Sequence, residues 1–391
     1  MKKIMIIVLI AQFFGISISN AQQEGIQVGG MTLFPSLGLG YGYDDNVFYA
    51  SNQDDQLSSS FFVFSPGIRL EAEGEKTNFL AQYDFNKTTY NADSNYNFEM
   101  HHVLASLNHV ASSRTNFGVS AEYFNGTDRI GTGNQQGDII ALGLNPDEWH
   151  SFGLSGNWHY GGIGAKGSID VSLGAIDRQY DNNRLFTATR DRKTQYVGAT
   201  YSHILTPKTN FLTQVKYASI DYDVATLDSS ETRLMLGAEW KATGKTSARA
   251  LVGYLSKDFD DPTRTDFSGL AVEAGMTWSP RSYSIFDLTL VRETDETNGN
   301  GNYVLRNSVD VGWTHFWKDR LSTTANIGIS DENYKSNFRD DRLNYYGLSA
   351  KYQFTDWLVS GLGYKHYNRD SSIDEFKYKD NSFLLTVEMS K

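Results

Sequence analysis

The chain contains no cysteine and only six prolines. Without cysteine it can have neither a disulfide framework nor thiolate chemistry. Scarce proline leaves nearly every residue able to donate to a backbone ladder, which suits strands. Beyond the first twenty or so residues, no run approaches the roughly 18 apolar residues a spanning helix needs. Positive charge is also short. Lys and Arg number 35 against 46 Asp and Glu, a net charge of −11. A nucleic-acid binder would instead show a basic stripe.

The first residues read as a leader. Lys2 and Lys3 precede an apolar stretch from Ile4 to Ile18, and Ser19-Asn20-Ala21 supplies small residues for cleavage before Gln22. Residues 1–21 are therefore expected to be a secretory signal, and residues 22–391 one domain. Aromatics and glycine are plentiful in that domain, and the whole chain has 23 Tyr, 23 Phe and 35 Gly.

Short polar turn signals recur along it: Gly74-Glu75-Lys76, Ser112-Ser113-Arg114, Gly161 to Gly164, Thr206-Pro207-Lys208, Thr243-Gly244-Lys245, Ser279-Pro280-Arg281, Lys318-Asp319-Arg320 and Thr355-Asp356. They step by roughly 36 to 48 residues, with longer Asp-, Asn-, Arg- and Gly-rich runs between them, as in an array of hairpins. Between turn and loop the apolar residues alternate. Examples are Phe152, Leu154, Trp158 and Tyr160; Leu234, Leu236, Ala238 and Trp240; and Leu270, Val272, Ala274, Met276 and Trp278. Period two with one apolar face marks strands. The expectation is an all-β, transmembrane, antiparallel up-and-down barrel of about 18 strands, with short periplasmic turns and long extracellular loops. Trp158, Trp240, Trp278, Trp313, Trp317 and Trp357 all fall beside short turns, predicting a periplasmic aromatic girdle at headgroup level.

The other face of the strands is polar. Alternation assigns Asp84, Glu122, His159, Lys216, Glu239, Glu273, Asp287, Arg292, Asp310 and Lys351 to the lumen. A barrel of that size has room for water among such groups. Their acidic excess favours a neutral or weakly charged solute over a strongly anionic one. Charge runs in the outward loops, such as Arg190 to Lys193 and Arg339 to Arg342, read as solvated and self-paired. The third outward loop, from about Asn125 to Trp149, holds Ile139-Ile140-Ala141-Leu142. Apolar residues there need cover, so this loop is expected to fold into the lumen and narrow it. Nothing suggests an enzyme, a cofactor or a metal centre. There is no Gly-x-Ser-x-Gly elbow and no P-loop, and the adjacent His101 and His102 must point to opposite faces.

Two stretches near the start carry a resemblance. Met31-Thr32-Leu33-Phe34-Pro35-Ser36-Leu37, followed by Tyr43-Asp44-Asp45-Asn46-Val47-Phe48, resembles the opening of the putative β-barrel porin 2 family. Thr206-Pro207-Lys208-Thr209 and Lys245-Thr246 are similar to its turns. The resemblance implies a barrel in the bacterial outer membrane, in contact with its lipids and lipopolysaccharide. It also implies a link to exopolysaccharide export, as a conduit working with polysaccharide and a periplasmic export protein. It brings no catalytic residues. By residue type alone, Asp44, Asp45 and Asn46 suit a tight Asx turn or a contact with a cation or glycan.

Overall fold

The computed structural model describes residues 25–391 apart from 138, 139, 141, 142, 163, 225 and 300, and without the side chains of 54, 242 and 243. The expected signal segment lies outside the described residues. Eighteen antiparallel strands, from Met31–Asp44 to Tyr378–Ser390, form the wall, and each pairs with its neighbours in sequence. The last strand returns to the first, with Ser382 opposite Asp44 and Ser390 opposite Ser36, so the sheet closes into a barrel. Closure removes both sheet edges, the only way a sheet can satisfy its backbone within lipid. A further short strand, Ile26–Val28, folds back on Met31–Leu33 at the turn end.

Alternation is kept along the ladders, so the two faces differ in chemistry. Leu173, Leu348 and Leu362 remain more than half exposed. They point outward, where acyl chains cover them. Backbone bonds knit the turn rim together: Val110 N–H donates to Lys76 O, Lys241 to Lys208 and Ser279 to Lys245. Trp158, Trp240, Trp278, Trp317 and Trp357 are each exposed by 40% or more near this rim. Trp313 lies on the same outward face and donates its indole N–H to Ser284 Oγ at 2.9 Å. The seventh, Trp149, is at the loop end.

The wall is not evenly round. On the strands Ser229–Thr243 and Thr246–Phe259, Gly237 and Gly253 face inward. A Cβ on either would run into the backbone of the facing strand, at Ala250 and Leu234 respectively. The sheet therefore bends tightly there. Beside this corner Leu212, Met235, Leu251, Leu255 and Ala271 pack together, nearly inaccessible, with Phe267 against them. All six come from inward, polar-face positions. The inner wall thus carries a dry apolar patch where an unbroken hydrophilic lining was expected.

Candidate functional site

The third outward loop joins the fifth and sixth barrel strands, Thr115–Asp128 and Asp147–Tyr160. Its feet are fixed. Asp128 accepts the Trp149 indole N–H at 3.0 Å and the Tyr180 hydroxyl at 3.0 Å, and Arg190 lies 2.9 Å away. Asp147 accepts the side-chain amides of Gln135 and Asn183, both at 2.7 Å. From these feet the loop runs across the mouth. Asn134 donates to Phe186 O at 2.9 Å, and Gln136 accepts from Arg369 at 3.5 Å. Gly133 O accepts from Asn298 at 3.0 Å. Asn298 belongs to the loop joining the thirteenth and fourteenth barrel strands, nearly halfway round the wall. The loop is therefore a strap across the opening, tied to neighbouring loops and strand ends at the mouth, where a descent into the lumen was expected from its apolar residues. Of those, Ile140 is half-buried; Ile139, Ala141 and Leu142 lie outside the described residues.

Arg129 latches the strap to the barrel seam. Its guanidinium meets Asp44 Oδ2 at 3.2 Å, the Tyr49 hydroxyl at 3.2 Å and Val47 O at 3.4 Å. The Tyr49 and Tyr90 rings flank it. Burial opposes its charge, but the surrounding Tyr49, Tyr90 and Asp44 more than offset this and hold its pKa above the ordinary value.

Asp44-Asp45-Asn46 is a clasp. Asp44 Oδ1 accepts from Asn46 N at 3.0 Å, the expected Asx turn. Asn46 Nδ2 donates to Lys379 O at 2.9 Å, and Asp45 accepts Asn381 N and Nδ2, both at 2.7 Å. The motif thereby ties the first strand to the last where the barrel closes. Asp44, Asp45 and Asp380 also converge within 4.8 Å, the one such acidic group among the described residues. Arg129 and Asn381 already occupy Asp44 and Asp45.

The polar lumen positions pair with one another. Glu122 meets His102 at 2.7 Å, and His102 lies 3.5 Å from Asp84. Glu273 bridges Lys216 and Arg249, both at 3.3 Å. His159 pairs with Asp170 at 2.7 Å and Glu239 with Lys241 at 3.7 Å. Lys351 pairs with Glu388 at 3.3 Å, Asp287 accepts from Thr277 at 2.7 Å, and Asp310 accepts the Tyr345 hydroxyl.

Arg292 is a correction. It stands opposite Val272 and Asn307, in the outward row of Phe286, Leu288 and Leu290. Its charge is met by Asn307 Oδ1 and Leu270 O. Glu293, one residue on, takes the inward place and pairs with Arg233 and Arg306. A guanidinium on the outward face is tolerable near the outer end of a strand, where lipid gives way to headgroups.

The loop charge runs are corrected in part: Lys193, Asp340 and Arg342 stay exposed and Arg339 pairs within its own run, as expected. Arg190, Asp191, Arg339 and Asp341 are buried rather than solvated. Arg339, 1% exposed, pairs with Asp341 and is flanked by the rings of Tyr334 and Phe376. Lys257, fully buried, donates to Glu296 at 2.6 Å. Arg178 lies 3.6 Å above the Trp149 ring. These pairs surround the inner wall beneath the loops. Sequence reading missed them because burial at the loop end is set by how loops and strand ends pack over one another, even where the partners are as near as Arg339 and Asp341; the one signal was the Arg and Tyr at the loop ends of inward rows.

Glu296 gives the network a pH signature. Burial pushes its carboxyl up, but Lys257, Arg192 and the Tyr222 hydroxyl at 2.6 Å reverse this and leave it below the ordinary 4.5. A depressed carboxylate stabilises the fold above its unfolded pKa, and that contribution is lost as pH falls through the folded value. Wild type should therefore resist urea better than Glu296→Gln at neutral pH, with the two midpoints converging as the pH falls below the ordinary carboxylate value and through the depressed folded one. Tryptophan fluorescence would follow both titrations.

A family profile described as putative beta-barrel porin 2 matches residues 20–391. The chain belongs to that family. It is accordingly a porin-like barrel of the outer membrane. No curated protein matches it. Among solved structures it is similar to OpdL of Pseudomonas aeruginosa, at 11% identity and a TM-score of 0.52, over 93% of this chain and 99% of that one. OccK2 of Pseudomonas aeruginosa, solved with glucuronate, gives 10% and 0.52, over 92% and 98%. OpdK of Pseudomonas aeruginosa, solved with vanillate, gives 11% and 0.50, over 92% and 99%. At these identities the likeness is one of fold. The porin-family chain spans 62% of the length of the FrpB iron transporter of Neisseria meningitidis.

Proposed function

We propose that this barrel is a passive conduit through the outer membrane for exopolysaccharide or another polar solute. The closed wall with a mostly polar inner face carries the reading. Such a cylinder offers hydroxyls, amides and paired charges along a path shielded from lipid. Family membership supports a transport class. The exported material is expected to arrive from a periplasmic partner and leave between the loops.

Planar-bilayer recording tests the proposal directly. Purified, folded protein should conduct ions in discrete steps, and an electrically silent barrel would sink it. In cells, deletion should cut secreted polymer while intracellular synthesis continues.

One observation favours a second reading, a non-conducting barrel that binds surface glycan or stiffens the envelope. The strap and the buried charge pairs pack the outer mouth closely. Under that reading, removing the strap would leave secretion unchanged. Under the conduit reading, it should raise conductance.

A further inference from the structure

The turn end of the barrel carries a charge pattern unlike the rest of the chain. Three neighbouring turn regions, residues 206–209, 240–247 and 277–284, contain Lys208, Lys241, Lys245 and Arg281 and no Asp or Glu. This local excess sits in a chain whose net charge is −11. A cavity of about 630 Å³ opens among these turns, lined by Lys208, Lys241 and Lys245 together with Ser247, Thr277 and Ser279. That volume lies within the roughly 300–1,000 Å³ of small-ligand sites.

Pairing places the cavity on the inner side of the wall. Lys241 stands opposite Ser247, and Ser247 opposite Thr277. Trp240 and Trp278, each one residue from these, point out to the headgroups. Backbone bonds fix the frame, because Lys241 N donates to Lys208 O at 2.8 Å and Ser279 N to Lys245 O at 2.7 Å. Two carboxylates border it, one of them shared with a lysine of the cup. Glu239 lies 3.7 Å from Lys241, and Asp287 accepts the Thr277 hydroxyl at 2.7 Å.

We propose that this cup is the periplasmic receiving site of the conduit and that it takes an anionic glycan, one with carboxylate or phosphate groups along its chain. Three ammonium groups around one concavity concentrate polyanions by focusing the local field. The hydroxyls beside them suit the sugar portion. This inference deepens the conduit reading and rests on it. It replaces the neutral solute suggested by counting lumen acids, since those acids are paired with bases and hydroxyls while the entrance is basic.

Full-length protein in nanodiscs would be titrated with oligogalacturonate, maltoheptaose and polyglutamate at about 50 mM salt, where charge contacts are only partly screened. Oligogalacturonate should bind, and affinity should fall about tenfold or more in the triple variant K208Q/K241Q/K245Q and on raising salt. Maltoheptaose should bind more weakly and equally to both proteins. Heat-modifiable gel mobility would confirm that the variant is folded, and three single Lys→Gln variants would each show part of the loss. Equal binding of oligogalacturonate to wild type and folded triple variant overturns the proposal. So does a preference for polyglutamate, which would mark an acidic protein partner instead. The two readings can fail separately. A silent barrel whose lysines still govern oligogalacturonate binding loses the conduit and keeps the cup. A conducting barrel indifferent to these lysines does the opposite.

Discussion

Replacing Gly253 with alanine should stop the chain from reaching its heat-modifiable, protease-resistant barrel form. The added Cβ would be driven into the backbone carbonyl of Leu234 on the facing strand, well inside van der Waals contact. Backbone within a ladder cannot yield as a flexible side chain can, and the Leu212, Met235, Leu251 and Leu255 cluster packs against the same corner. Overpacking in a well-packed interior typically costs about 1–3 kcal/mol, and a backbone collision should exceed that. Gly275→Ala is the control, because its nearest neighbour would be Leu288 O at 3.9 Å, an ordinary contact. Gel mobility with and without heating should show the Gly275 variant folded and the Gly253 variant unfolded or greatly reduced. Equal folding of the two would contradict the tight corner.

Arg129→Ala should release the strap. The substitution removes the cation that neutralises buried Asp44, and with it the bonds to Tyr49 and Val47 O. Breaking one side of a buried pair costs about 3–5 kcal/mol, because the remaining charge is left uncompensated. If most of that cost falls on docking, the undocked population rises by about two to three orders of magnitude. In bilayers the variant should conduct more, with noisier open levels. Added protease should cut the loop between residues 129 and 146 faster than in wild type. Arg129→Lys should recover only part of the effect, since a single ammonium cannot reproduce the guanidinium fork. Unchanged conductance together with unchanged cleavage would show that the strap is held by its other anchors.

The sequence determined the barrel. Period-two alternation fixes which residues face lipid, and regular turn spacing fixes the hairpins. Tryptophan placement sets the turn rim at headgroup level. These are local properties, repeated in strand after strand, so no knowledge of distant contacts is needed to read them. The loop's course was legible only in part: its apolar residues signalled a need for cover, but that it lies across the mouth on neighbouring loops instead of entering the lumen depends on contacts from distant strands. Arg292 was lost for a narrower reason: near the loop end of its strand both rows become polar, and composition no longer tells inside from outside. Only the tertiary structure decided the rest. Closure brings Asp44-Asp45-Asn46 against Asn381, some 335 residues away in sequence. Bending buries Leu251 and Met235 in a wall that alternation marks as wet. Curvature of the rim gathers Lys208, Lys241 and Lys245 around one cavity. Each depends on which strands lie side by side or across the bore, and on how sharply the sheet turns. Alternation along a single strand encodes neither.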